Sequence, residues 1–120
     1  MNYYIMIFKE ELVMTKRVQG KTIKWEWTKG EYSGAIYQNT FHEDGKVTWK
    51  GIAGAEAGDS ATEDKYSVEQ VTDSVFMVSW LENIGDTVTI TLNFENHTIF
   101  GVISNNKEWT VVSGKILEVN

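Results

Sequence analysis

The chain has no cysteine and no proline in its 120 residues. The first absence excludes disulfides, thiolate metal sites and thiol nucleophiles, and leaves no mark of an oxidising compartment. The second argues against proline-rich linkers and against a cis-proline device in a turn. Positive charge is scarce: 11 Lys and Arg stand against 17 Asp and Glu, a formal net charge of −6. A surface of that sign repels phosphate backbones and anionic lipids, so neither a nucleic-acid nor a membrane partner is expected. No run approaches the roughly 20 apolar residues of a membrane-spanning helix. Met1 to Phe8 is apolar, but it lacks a basic start and Lys9-Glu10-Glu11 interrupts it, a poor match to a secretory signal. A cytoplasmic location is expected. Without that signal, the sequon Asn96-His97-Thr98 reads as chance. There is no Gly-rich phosphate loop, nucleophile elbow or Ser/His/Asp arrangement. His42 and His97 are the only histidines, each beside a turn and far apart in sequence, which falls short of the three or four converging ligands a metal needs. No metal and no cofactor is expected.

Aromatic residues, by contrast, are plentiful: five Trp, five Tyr and five Phe. Large aromatics fill a core or line a pocket. The length suits one domain with a core of its own. From residue 21 onward, short β-prone runs alternate with turn clusters. Eight runs stand out: Thr22–Trp27, Ala35–Phe41, Lys46–Gly51, Asp64–Val71, Val75–Glu82, Thr87–Phe94, Thr98–Ser104 and Thr110–Glu118. Between them lie residues that tolerate tight turns, such as Glu43-Asp44-Gly45 and Asn83-Ile84-Gly85-Asp86. Within the runs the apolar residues fall on one face, as with Ile23, Trp25 and Trp27 against Thr22, Lys24 and Glu26. The spacing predicts an all-β domain: a single eight-stranded antiparallel up-and-down barrel, whose closure removes exposed edges. A barrel of that size is filled by side chains or holds one small ligand.

Two segments depart from the pattern. Gly51 to Glu63, rich in Gly and Ala, reads as a flexible connection near the barrel mouth. Residues 1–19 read as an N-terminal extension to a barrel of residues 20–120. A chain starting at Met14 would still hold all eight strands, so residues 1–13 are expected to be dispensable.

The sharpest functional clue is Glu82. Alternation places it on the same face as Phe76, Val78 and Trp80, an apolar face that the sheet should bury. A carboxylate in an aromatic-lined cavity is costly unless it is paired, neutralised or used. Glu82 is therefore the candidate catalytic acid or base, or the polar anchor for a ligand; the bland alternative is a cap on the Ile84-Gly85 turn. Trp25, Trp27, Tyr37, Trp49, Tyr66, Phe76 and Trp80 are the candidate ligand-binding residues, against plain core packing. Trp49 and Trp109, near strand ends, are placed as plugs.

Gly20-Lys21-Thr22-Ile23-Lys24-Trp25 and Gly45-Lys46-Val47-Thr48-Trp49-Lys50-Gly51 resemble the MoaF-like family. So do Gly101-Val102-Ile103-Ser104-Asn105-Asn106-Lys107-Glu108-Trp109 and Ser113-Gly114-Lys115. Val78-Ser79-Trp80-Leu81-Glu82-Asn83-Ile84-Gly85 resembles the matching strand and turn of bacterial phenolic acid decarboxylases, in the same lipocalin-like (calycin) barrel group. The resemblance implies that barrel over about residues 20–119. In the decarboxylases the matching glutamate is the proposed proton donor or acceptor, a role that would fall to Glu82. Their substrate-holding tyrosine pair corresponds to Trp25 and Trp27 here, and the arginine of their carboxylate grip has only Lys65 as a weak substitute.

Two functions follow as expectations. The first is a small-molecule-binding barrel that holds an apolar or aromatic metabolite, anchored by Glu82; a homodimer is compatible with it. The second is a cofactor-free lyase or isomerase using Glu82 for proton transfer. A filled barrel serving as an interaction domain is the third, blander reading.

Overall fold

The computed structural model describes residues 17–120, and within them the chain is a nearly closed antiparallel barrel. Its strands are β1 (Thr22–Lys29), β2 (Ile36–Phe41), β3 (Val47–Ala53), β4 (Ser60–Glu63), β5 (Tyr66–Gln70), β6 (Val75–Leu81), β7 (Thr87–Asn93), β8 (Thr98–Ser104) and β9 (Trp109–Val119). They lie side by side in the order β4-β3-β2-β1-β9-β8-β7-β6-β5. The up-and-down barrel expected from the spacing is therefore present, but with nine strands rather than eight.

The ninth strand has a clear origin. Every hydrogen-bonded pair is antiparallel. Following the directions around the sheet, β4 and β5 run the same way. They are one stave broken at Asp64-Lys65, its first part paired to β3 and its second to β6. The Gly51–Glu63 segment, read as a flexible connection, instead supplies the end of β3, an ordered turn and β4. Gly51 makes that turn fit. A Cβ at this position would collide with the backbone carbonyl of Glu56, so only glycine lets residues 54–59 fold back over β3.

The alternation read in the sequence becomes an inside and an outside. In β1 the buried residues are Ile23, Trp25 and Trp27; in β7 they are Val88, Ile90 and Leu92. The outward face is mixed, with Phe100, Val102 and Val111 exposed beside Ser113 and Thr91. Gly114, opposite Trp27, marks one of two irregularities where β9 wraps onto β1.

The two barrel ends differ. Loops after β1, β3, β6 and β8 gather at one end, the turns after β2, β5 and β7 at the other. The second end is sealed. Val18 is fully buried there, and Arg17 donates from its guanidinium to the Asp73 carbonyl at 2.8 Å while lying over the Phe94 ring. His42 and His97 sit in turns of this end. Residues 1–13, expected to be dispensable, lie outside the described residues, as does most of the 1–19 extension.

Candidate ligand-binding cavity

The open end leads into a cavity of about 310 Å3. That is at the low end of the range for small-molecule sites, roughly 300–1,000 Å3. Its walls come from β1 (Trp25, Trp27), β2 (Tyr37, Asn39), β3 (Trp49), β6 (Trp80) and the starts or ends of β7 and β8 (Val88, Ile103). The loops at the open end add Tyr32, Glu56, Glu82, Ile84 and Asp86. Trp25 and Trp27 meet edge to face at 6.0 Å, as do Tyr37 and Trp49 at 6.4 Å.

Of the residues singled out from the sequence, Trp25, Trp27, Tyr37, Trp49, Trp80 and Glu82 converge on this cavity. Tyr66 and Phe76 do not. Tyr66 packs against Phe41 at 5.2 Å and donates its hydroxyl to the His42 carbonyl at 2.8 Å. Phe76 is fully buried against Phe94. Alternation selects the inner face of a strand but not the height along the barrel, and these two lie toward the sealed end. Trp80 joins the regions: it packs on Phe41 at 5.8 Å and forms part of the cavity wall. Trp49 is a wall residue rather than a plug, and Trp109 is 73% exposed and plugs nothing.

Glu82 follows directly on β6 and opens the turn into β7. Its backbone closes that turn, with Glu82 N donating to Asp86 O at 2.7 Å and Gly85 N to Glu82 O at 2.8 Å. Gly85 takes the left-handed conformation the turn requires, at φ 104°. The side chain does something else: its Oε2 accepts from Trp80 Nε1 at 3.2 Å. The carboxyl is half-buried, and burial pushes its pKa up to about 7 from an ordinary 4.5. The Trp80 bond works against that shift, and the charges of Glu63, Asp86 and Glu56 add to it. Among the described residues the only ion pair is Lys115 with Glu26 at 3.7 Å, and Glu26 lies on the face of β1 opposite Trp25 and Trp27. Nothing cationic lines the cavity among those residues.

Three participants were not singled out from the sequence. Glu56 reaches the cavity because the Gly51-dependent turn carries it there, and it accepts from the Tyr37 hydroxyl at 2.7 Å. Burial first, then that bond, pushes the Tyr37 phenol well above its ordinary range and keeps it protonated. Glu63, 3% exposed, ends β4 behind the wall; it accepts from Trp49 Nε1 at 3.0 Å and from Asn83 N at 2.9 Å, tying β3 and the β6–β7 turn across the broken stave. Asn39 is the third. It is 1% exposed, and its Oδ1 has no hydrogen-bond partner; neither has Nε1 of Trp25. Both residues line the cavity. A polar residue on the otherwise inward-facing series Tyr37, Asn39, Phe41 was the available signal. Among the described residues, no group of His, Asp or Glu could hold a metal ion.

No curated protein matches the chain. Among solved structures it is similar to a "putative beta-lactamase" from Burkholderia vietnamiensis, with a TM-score of 0.72 and 19% identity over 82% of this chain and 92% of that one. At that identity the likeness is one of fold. The family model described as MoaF-like matches residues 19–117, and the chain belongs to the MoaF-like family.

Proposed function

We propose that this barrel binds a small organic molecule in its cavity, with Glu82 as the polar anchor. The observation that carries the reading is a pair of buried, orphaned polar atoms, Trp25 Nε1 and Asn39 Oδ1, on residues that line a space large enough for a ligand. A buried donor or acceptor without a partner costs roughly 1–3 kcal/mol, and an apolar side chain of similar shape would avoid that cost. A ligand that supplies an acceptor to the indole and a donor to the amide makes both residues useful. The aromatic walls suit a flat or compact apolar body.

A second reading is favoured by Glu82 itself. A carboxyl with a pKa of about 7 can both give and take a proton near neutral pH, as a cofactor-free lyase or isomerase requires. The likeness to phenolic acid decarboxylases supplies the glutamate but not the grip on a substrate carboxylate. Lys65 is exposed at the β4–β5 break and is absent from the cavity wall. Glu56, Glu82 and Asp86 would repel an anionic substrate, so the enzymatic reading takes an uncharged or cationic one. Serine acylation of a lactam gains no support, since no serine stands among the described lining residues.

The test is saturation-transfer NMR with small neutral aromatics such as indole, combined with shift mapping of the tryptophan indole N–H signals. Saturable binding that moves the Trp25 signal is expected. Ile103→Trp should fill the space and abolish it while the protein stays folded. A panel that leaves every indole signal unmoved would reject the binding reading.

A further inference from the structure

Resting on the binding reading above, we propose that the ligand is an organic ammonium cation with a compact apolar body, held by cation–π contact with the aromatic walls and by the carboxylates at the open end. Two independent features of the cavity converge on that chemistry.

The first is charge. Glu56, Glu82 and Asp86 come to the cavity from two different loops, and Glu63 stands directly behind its wall. Glu31 lies in the same β1–β2 loop as Tyr32 and acts on the Tyr32 phenol, so the negative field extends over the rim. No lysine or arginine is among the described lining residues; Lys107 stands outside, in the shallow groove beside Ile84 and Asp86. Collecting like charges around a partly enclosed space is unfavourable in the empty protein, and a bound cation reverses the sign of that contribution. A neutral ligand would leave the repulsion in place and an anionic one would add to it.

The second is the wall itself. Trp25, Trp27, Trp49, Trp80, Tyr32 and Tyr37 surround the space. Ring faces carry negative quadrupole potential, and clustered Trp and Tyr are the surroundings in which organic ammonium groups are held best. The Asn39 Oδ1, buried and unpartnered, is an acceptor suited to an ammonium N–H. The Trp25 N–H, also unpartnered, would be met by a hydroxyl or ether oxygen elsewhere on the ligand. Carboxylates alone would suit any cation. The rings select against a small hydrated metal ion and in favour of an organic one.

Three probes of nearly equal shape test this: 2-phenylethylamine, 2-phenylethanol and 3-phenylpropanoate, titrated by calorimetry and by tryptophan fluorescence at neutral pH. The amine is expected to bind at least about tenfold more tightly than the alcohol, with the propanoate weakest. The double variant Glu56→Gln/Glu82→Gln should erase the preference for the amine, so that amine and alcohol bind within about threefold of each other when both are measured on that variant. The comparison of probes on the unaltered protein does not depend on how that variant folds. Equal or tighter binding of the alcohol or the propanoate would overturn the cation proposal and leave the cavity reading standing. An amine preference that survives the double variant in a folded protein would place the amine elsewhere and overturn it too. Failure of all three probes to bind would overturn both readings together.

Discussion

The two ends of this barrel are built from the same kinds of residue and arrive at opposite outcomes. At the sealed end Phe41, Tyr66, Phe76 and Phe94 pack ring against ring, Val18 plugs the base, and the Tyr66 hydroxyl is bonded to a backbone carbonyl. At the open end Trp25, Trp27, Trp49 and Tyr37 also meet ring against ring, yet they enclose space, and two residues lining it carry buried atoms without partners, Trp25 Nε1 and Asn39 Oδ1. Aromatic content therefore does not distinguish a core from a site. What distinguishes them is that the open end, although Tyr37, Trp49 and Trp80 find partners, leaves Trp25 Nε1 and Asn39 Oδ1 without one.

The largest effect should come from the sealed end. Phe41→Ala removes a fully buried ring that touches both Tyr66 and Trp80, and should cost about 3–5 kcal/mol in urea unfolding. Had the two ends been energetically alike, Trp49→Ala would cost as much; a similar loss there would break the comparison. An intermediate effect is expected at the seam. Glu63→Ala strands the Trp49 indole N–H and the Asn83 amide and should destabilise by about 1–3 kcal/mol. Hydrogen exchange should then rise first in β4 and the β6–β7 turn; protection unchanged in both would show that Glu63 does not hold the break together.

The smallest effect has the opposite sign. The Glu82 carboxyl has a folded pKa of about 7 against an ordinary 4.5. Between those values the folded state holds a proton that the unfolded state has released, so this group's contribution to stability falls as pH rises from about 4.5 to 7 and is flat above. Glu82→Gln keeps the shape, cannot ionise and should flatten that slope. Because the side chain is only half-buried, the gain above pH 7 should be no more than about 1 kcal/mol. Paired melting curves at pH 5 and pH 8 check this, and a lower melting temperature for the variant at pH 8 would mean that the ionised carboxylate supports the turn instead.

Much of the candidate site was legible because it follows from period two. Phe76, Val78 and Trp80 share the buried face of β6, Glu82 continues it, and Trp25 and Trp27 share the inner face of β1. Height along the barrel was not legible, because it depends on how far each strand is staggered against its neighbours. Alternation alone therefore groups Tyr66 and Phe76 with cavity residues they do not join. The break at Asp64-Lys65 was hidden as well. The small residues of Ser60-Ala61-Thr62 carry no apolar stripe, and β4 is recognisable only through its pairing with β3.

By itself, then, the sequence determined the class of the fold, the inward set of each strand and the exceptional position of one acid, since all three depend on neighbours two residues apart and on turn residues between runs. Tertiary structure alone decided which inward residues surround space and which fill it. It brought Glu56 from a glycine-dependent turn to the Tyr37 hydroxyl, and it left Asn39 and Trp25 without partners. The reason is physical: a hydrogen-bond partner, a neighbouring charge or a void is a property of residues brought together from separate strands, and the register and closure of the sheet decide which residues meet.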